Sequence, residues 1–377
     1  MKRVAPGVSQ RIMIRSATLS LLIVAALPAG ACSTGGPVEP PDCVEEIDGA
    51  CWSFLGLEDE WITALAETPM GLFAGTHKNG VFRHDPVAGR WQSLGLDHAI
   101  VWSILYVPTE PARLLVGMIP FSDETTEAAV FASEDRGETW IPWDGGLAES
   151  RGDRGWAYSL AVDPDDPRRL FMSYFDVMMR SDDGGETWNP VYNELSLIGG
   201  GAFHAIVVSG SQPDAVWAGG VTSVFTAVIL RSEDGGDSWE FIDPTPRHEN
   251  NVNALLEVPG ESGSLLAGLG GVGDGVMRST DSGRTWDYTL FTRGVVKDII
   301  TSDNTIYAAA SENFRPPPSG DGAPVTDLGL YRSSDRGSTW DKIAKPAGLP
   351  GGYALDRDQA GAILIGTKGG VWRALIP

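Results

Sequence analysis

Short apolar runs rich in β-branched and aromatic residues recur from residue 61 to the end of the chain, each closed off by Gly, Asp, Pro or Ser. Runs of this length between turn residues predict β-strands. They fall into groups of four, here lettered A (inner) to D (outer). The first group is 61–67, 71–75, 80–83 and 90–94. Further groups occupy 100–143, 155–192, 202–242, 251–288 and 294–343. A last group, 352–377, contains only three runs: 353–355, 362–367 and 370–375.

An eight-residue signature, S-x-D-x-G-x-[ST]-W, punctuates five of these groups. It covers Ser133–Trp140, Ser181–Trp188, Ser232–Trp239, Ser279–Trp286 and Ser333–Trp340. Its tryptophans lie 48, 51, 47 and 54 residues apart. That period suits four-stranded propeller blades rather than helical solenoids. A degenerate sixth copy keeps Asp85, Gly89 and Trp91 without the serine. Asp135, Asp183, Asp234, Asp281 and Asp335 are placed to accept backbone amides in a tight turn between strands C and D. The glycine supplies positive φ, and the tryptophan opens the next strand. A calcium ion would need more oxygen ligands than each turn offers. The expectation is therefore an all-β, seven-bladed propeller whose signature acids are structural.

The last group lacks an outer strand, and the N-terminus carries a match for it. Cys51-Trp52-Ser53-Phe54-Leu55-Gly56-Leu57 parallels Arg90-Trp91-Gln92-Ser93-Leu94-Gly95-Leu96. A strand from one end completing a blade made by the other closes the ring and removes exposed edges. The expected layout is a signal peptide at 1–31, a lipid-anchored tether with a disulfide at 32–50, and the propeller at 51–377.

Lys2, Arg3, Arg11 and Arg15 precede the apolar run 17–27, too short for a stable membrane span and typical of a signal peptide. Leu27-Pro28-Ala29-Gly30-Ala31-Cys32 resembles a bacterial lipobox, with Ala29 where leucine is usual. The resemblance implies a lipidated Cys32, and Ser33 after it implies the outer membrane, on its periplasmic or surface side. Export leaves Cys43 and Cys51 expected as a disulfide. Removing residues 1–31 takes away four basic side chains and no acids, moving the net charge from −22 to −26. That charge makes nucleic acid and anionic lipid headgroups poor partners, and no nucleic acid is expected. Five histidines without ligand spacing, His77, His84, His98, His204 and His248, give no metal site, and no cofactor is expected.

With these motifs the segment 51–377 resembles the Asp-box, or BNR-repeat, propellers, which include sialidases, two-propeller xyloglucanases, sortilin, a photosystem II assembly factor and bacterial lipoproteins. In such proteins ligands bind on the face of the D–A and B–C loops and in the channel. Aligning the repeats puts Ile62, Trp102, Tyr158, His204, Asn253, Lys297 and Tyr353 at the start of strand A. Two residues on stand Ala64, Ile104, Leu160, Ile206, Leu255, Ile299 and Leu355, a constant apolar position read as core. The varied first position makes Trp102, Tyr158, His204, Asn253, Lys297 and Tyr353 the candidate ligand-binding residues. A ring that merely fills the channel would use the same residue types. Trp156, Arg151, Arg154, Arg247, His248 and Arg293, and the long loops 118–128 and 311–328, lie on the same face.

A sialidase-like site needs three convergent arginines and a tyrosine–glutamate pair. No strand A begins with arginine, and the arginine motif of sialidases is absent; Arg154, Arg247 and Arg293 could still supply a triad. Arg83, Arg180, Arg231, Arg278, Arg332 and Arg373 recur at one strand-C position and read as structural. A glycosidase needs two carboxylates across a cleft. Asp298, Asp123, Glu124 and Asp321 are available, with no pair marked by spacing. The sequence reading is a monomeric, lipid-anchored envelope module that binds or assembles a protein, peptide or glycan through the D–A/B–C face. The alternative is an exo-sialidase-like enzyme or other glycoside hydrolase.

Overall fold

The computed structural model describes residues 43–121, 128–145, 147, 156–194, 200–244, 250–271, 275–291, 295–311 and 329–377. The signal segment, Cys32, Arg151, Arg154, Arg247, His248, Arg293 and most of the two long loops lie outside the described residues. Seven antiparallel sheets succeed one another around a ring, each with strand A innermost; in six of them the strands run outward in chain order, and in the seventh N-terminal strands lie outside the three C-terminal ones. The chain is a seven-bladed β-propeller, as the grouping of apolar runs implied.

Closure is made where the sequence put it. Ala50–Gly56 pairs antiparallel with the C-terminal strand Gly370–Leu375, in the register Cys51↔Leu375, Trp52↔Ala374 and Ser53↔Arg373. The Trp52 indole is fully buried, packed in one cluster with Tyr307, Leu330, Ile343, Leu355 and Ile363 from the last two blades. One part of the expected tether belongs to the sheet instead. Glu45–Ile47 forms a fifth strand outside the closing strand, turning at Asp48-Gly49, where φ is 49° and 80°. The Cys43–Cys51 disulfide, with Cα atoms 5.4 Å apart, spans the open end of this hairpin.

The signature turns repeat one set of bonds. Ser133 Oγ donates to Asp135 Oδ1 at 2.8 Å and accepts from Gly137 N at 2.7 Å. Asp135 in turn accepts Thr139 N at 2.9 Å and Thr139 Oγ1 at 2.6 Å. Equivalent bonds occur at Asp183, Asp234, Asp281 and Asp335. Hydroxyl and amide donors favour the charged form, so Asp135 and Asp234 are held at about 2, first by the hydroxyls of Thr139 and Ser238. Both central residues of the turn are left-handed, Arg136 at φ 64° and Gly137 at φ 85°. The degenerate copy is a plain Asx-turn, with Val87 N and Ala88 N on Asp85 Oδ1.

Three of the repeated arginines tie neighbouring turns together, whereas Arg231 pairs with Glu233 and Glu240 of its own blade. Arg83 reaches Arg136 O at 3.0 Å and Glu138 at 2.7 Å in the next blade, and Arg180 reaches Gly235 O at 2.9 Å and Asp237 at 2.6 Å. Arg278 bonds Arg336 O at 3.1 Å. Blade-to-blade packing has its own rule, a knob on strand A set against a glycine on the preceding strand B. A Cβ on Gly75 would lie 2.3 Å from Val101 Cγ1, one on Gly219 2.4 Å from Val252 Cγ1, and one on Gly366 2.6 Å from Ile62 Cγ2. Between blades six and seven the sizes are exchanged: Ala309 faces Gly352.

Candidate ligand site at the channel mouth

Every blade carries a β-bulge at the same point of strand A. In the pairing with strand B one residue is skipped in each: Thr63, Trp102, Tyr158, His204, Asn253, Lys297 and Tyr353. A bulge leaves its extra residue out of the ladder and re-aims that side chain. All seven line one cavity of ≈ 530 Å³ at the D–A/B–C end of the channel. The six candidate residues of the sequence alignment are therefore brought together.

The seventh position needs a correction. Ile62 is fully buried and serves as the knob against Gly366, while its neighbour Thr63 occupies the bulge. The alignment slid by one residue in blade one, so Leu65, not Ala64, matches Ile104 and Leu160. Thr63 Oγ1 donates to Val101 O at 2.5 Å, and Asn253 Nδ2 donates to Val296 O at 3.2 Å, linking adjacent inner strands. Asn251 Nδ2 holds the Asn253 carboxamide oxygen at 2.9 Å.

Aromatic rings gather on the side of blades seven to four. Trp61 stacks on His77 at 4.4 Å and meets Tyr353 at 5.3 Å, with Phe121 beyond His77 at 6.1 Å. Lys368 Nζ lies 4.8 Å from the Trp61 ring centre. A second group joins Trp102 to Tyr158 at 5.8 Å, Tyr158 to Trp156 at 6.1 Å, and Trp156 to Phe175 at 4.9 Å. Blades one and three share a two-residue clamp. In each, a tryptophan two positions before the bulge accepts a backbone bond at 2.9 Å from the first residue after strand B, His77 N on Trp61 O and Phe175 N on Trp156 O. Trp61, His77, Phe121 and Phe175 escaped the sequence reading, although Trp61 and Trp156 stand at one repeat position.

The rest of the wall is polar. Asp298 is the one acid among the described residues that line the cavity. Its oxygens accept Leu355 N at 2.8 Å and Ile299 N at 2.9 Å, and burial nevertheless pushes its pKa up to about 6. His204 is driven the other way, to about 4, by burial and then by the Lys297 charge, so it is neutral at pH 7. Tyr158 is kept protonated by burial.

The family described as BNR/Asp-box repeat matches residues 179–190, the signature turn of blade three. The chain is a seven-bladed β-propeller that carries the BNR/Asp-box repeat. This Asp-box propeller is 33% identical over 171 residues to a probable oligoxyloglucan-reducing end-specific xyloglucanase of Neosartorya fischeri, covering 42% of this chain and 19% of that one. Its fold overlays the GH74 xyloglucanase of Xanthomonas campestris with a TM-score of 0.61 at 20% identity, over 86% of this chain and 53% of that one. YCF48 of Cyanidioschyzon merolae overlays with a TM-score of 0.58 at 14% identity, over 85% and 98%. The Asp-box propeller thus spans about a fifth of the fungal relative and about half of the Xanthomonas enzyme.

Proposed function

We propose that this propeller acts on a glycan, binding a neutral, β-glucan-type chain across its D–A/B–C face. The observation that carries this reading is the pair of matched aromatic clamps, Trp61/His77 and Trp156/Phe175, flanking a bulge-lined mouth. Flat, partly apolar sugar faces stack on such rings, and a few convergent polar groups then fix orientation. The lining offers Lys297 and Asp298 as its charged residues and no arginine among the described residues, which suits an uncharged ligand better than a sialylated one. The relative named as a xyloglucanase supports the same class.

Hydrolysis of that glycan is the second reading, favoured by the relatives' names. Two carboxyls would be required. Asp298, with its raised pKa, suits the acid role; Asp123, Glu124 and Asp321 lie outside the described residues. The anchoring of the propeller to the bacterial envelope through Cys32 belongs to the proposal too. Its check is lipid labelling in a bacterial host, expected for the native chain and lost in C32A.

Affinity electrophoresis against xyloglucan, unbranched β-glucan and sialylated mucin tests the main reading, with reducing-end release followed in parallel. Retention by a neutral β-glucan is expected. Retention by none, or by mucin alone, overturns the proposal. Sugar release that disappears in Asp298→Asn selects the hydrolytic reading.

A further inference from the structure

The inner strand of blade seven, Gly352–Arg357, is tied to both neighbouring blades by one device used twice. Asp298 stands one position after the bulge of blade six. Its Oδ1 accepts the next amide of its own strand, Ile299 N at 2.9 Å, and its Oδ2 accepts Leu355 N of blade seven at 2.8 Å. Asp356 stands three positions after the bulge of blade seven and repeats the pattern. Its Oδ1 takes Arg357 N at 2.7 Å, and its Oδ2 takes Glu67 N of blade one at 2.6 Å. In the other six blades the first of these positions holds Ala or Ser, and the second holds Ala, Leu, Val or Ile. Two carboxyls thus replace small or apolar side chains on the two flanks of the blade that is assembled from both ends of the chain.

The surroundings disfavour charge on these bridges. Asp298 lines the mouth beside Lys297 of its own strand, with neutral His204 in the same lining, Lys368 at the rim over Tyr353, and the Asp356 charge in range. Asp356 lines a second cavity of ≈ 430 Å³ beside the A–B turns, with Glu67 of blade one, Asp303 of blade six, and Arg357 and Asp358 of its own blade. Arg373 is engaged by Asp358 at 2.6 Å. Burial raises the pKa of Asp298, Asp356 and Glu67 alike, that of Asp298 to about 6. Folding therefore favours the protonated form. The contribution of each aspartate is full below the ordinary value near 3.9 and is lost as the pH rises through the folded one.

We propose that this inner strand is a pH-sensitive latch: the two carboxyl bridges hold it between blades six and one while protonated, and their ionisation loosens it together with Tyr353, which the same strand carries into the mouth. The latch acts on the mouth itself and does not depend on the class of ligand bound there.

The test is amide hydrogen exchange on the full chain from pH 5 to 8, corrected for the intrinsic rate and read at Leu355 and Glu67, the two amides held across the seams. Local opening at Leu355 is expected to rise about tenfold over that range, as a shift from near 3.9 to about 6 requires, with Glu67 following in the same direction. The inner strand of blade three, Ala157–Val162, carries no acid and serves as the reference. Asp298→Asn is expected to remove the rise at Leu355, and Asp356→Asn the rise at Glu67, whatever either change does to overall stability, because the side chain no longer titrates. Exchange at Leu355 and Glu67 that keeps pace with blade three in the native chain overturns the latch. So does a rise that persists in D298N/D356N.

Discussion

The two faces of the ring are built from the same repeats and use them in opposite ways. On the Asp-box face the same side chains make the same bonds in five blades, every signature carboxylate is filled by hydroxyl and amide donors, and Arg83, Arg180 and Arg278 each reach the next turn. At the mouth the backbone repeats and the residues do not: seven bulges present Thr, Trp, Tyr, His, Asn, Lys and Tyr to one cavity. A repeated residue with satisfied bonds marks a structural device. A repeated backbone feature with a changing residue marks a place where selection is free to build a site.

The contrast can be broken from either side. The largest effect is expected at ring closure, where Trp52→Ala should remove about 3–5 kcal/mol of stability, as for other buried tryptophans, and leave glycan retention by the surviving folded protein intact. Replacing Cys43 and Cys51 with serine should cost about 2–3 kcal/mol by chain entropy, seen as a lower denaturation midpoint, again without change in binding. On the Asp-box face, Ser232→Ala strands the buried Gly236 amide and should cost about 1–3 kcal/mol in a urea melt. A glycan-binding loss in that variant, with its fold retained, would erase the distinction between the faces.

Titration gives a finer cut. His204 has a folded pKa of about 4, below its unfolded value near 6.5. Its neutral form is the one the fold favours, so its contribution is present above pH 6.5 and lost as the pH falls through 4. Asp298, raised to about 6, has the opposite sign: its contribution is full below its unfolded pKa near 3.9 and lost as the pH rises through 6. The His204 ring resonances should therefore titrate near pH 4, and His204→Leu should flatten the stability profile between pH 6.5 and 4. A midpoint near 6.5 would contradict a buried, neutral imidazole.

Most of the fold was legible because the signature turns align the blades and the parallel between Cys51–Leu57 and Arg90–Leu96 marks the closing strand. The bulged positions were legible for the same reason in six blades. Ile62 was misplaced because a bulge adds one residue without any change in the apolar pattern, and only its packing against Gly366 separates it from Thr63. The fifth strand was missed because Glu45-Glu46-Ile47 reads as polar tether, although Asp48-Gly49 is the turn dipeptide a two-residue hairpin demands. His77, Phe121 and Phe175 sit just past strand B, where no periodicity points to them. Backbone bonds to Trp61 and Trp156 bring His77 and Phe175 to the mouth.

The smallest expected change in stability, and the largest in function, belongs to the paired clamp variant Trp61→Ala/Trp156→Ala. Both indoles are partly exposed at the mouth, so the melting temperature should move little. Xyloglucan retention in affinity electrophoresis is the direct measurement of the claim that function lies on the irregular face. Loss of retention in this variant, beside full retention in Ser232→Ala, is the predicted result; unchanged retention in the clamp variant would contradict it.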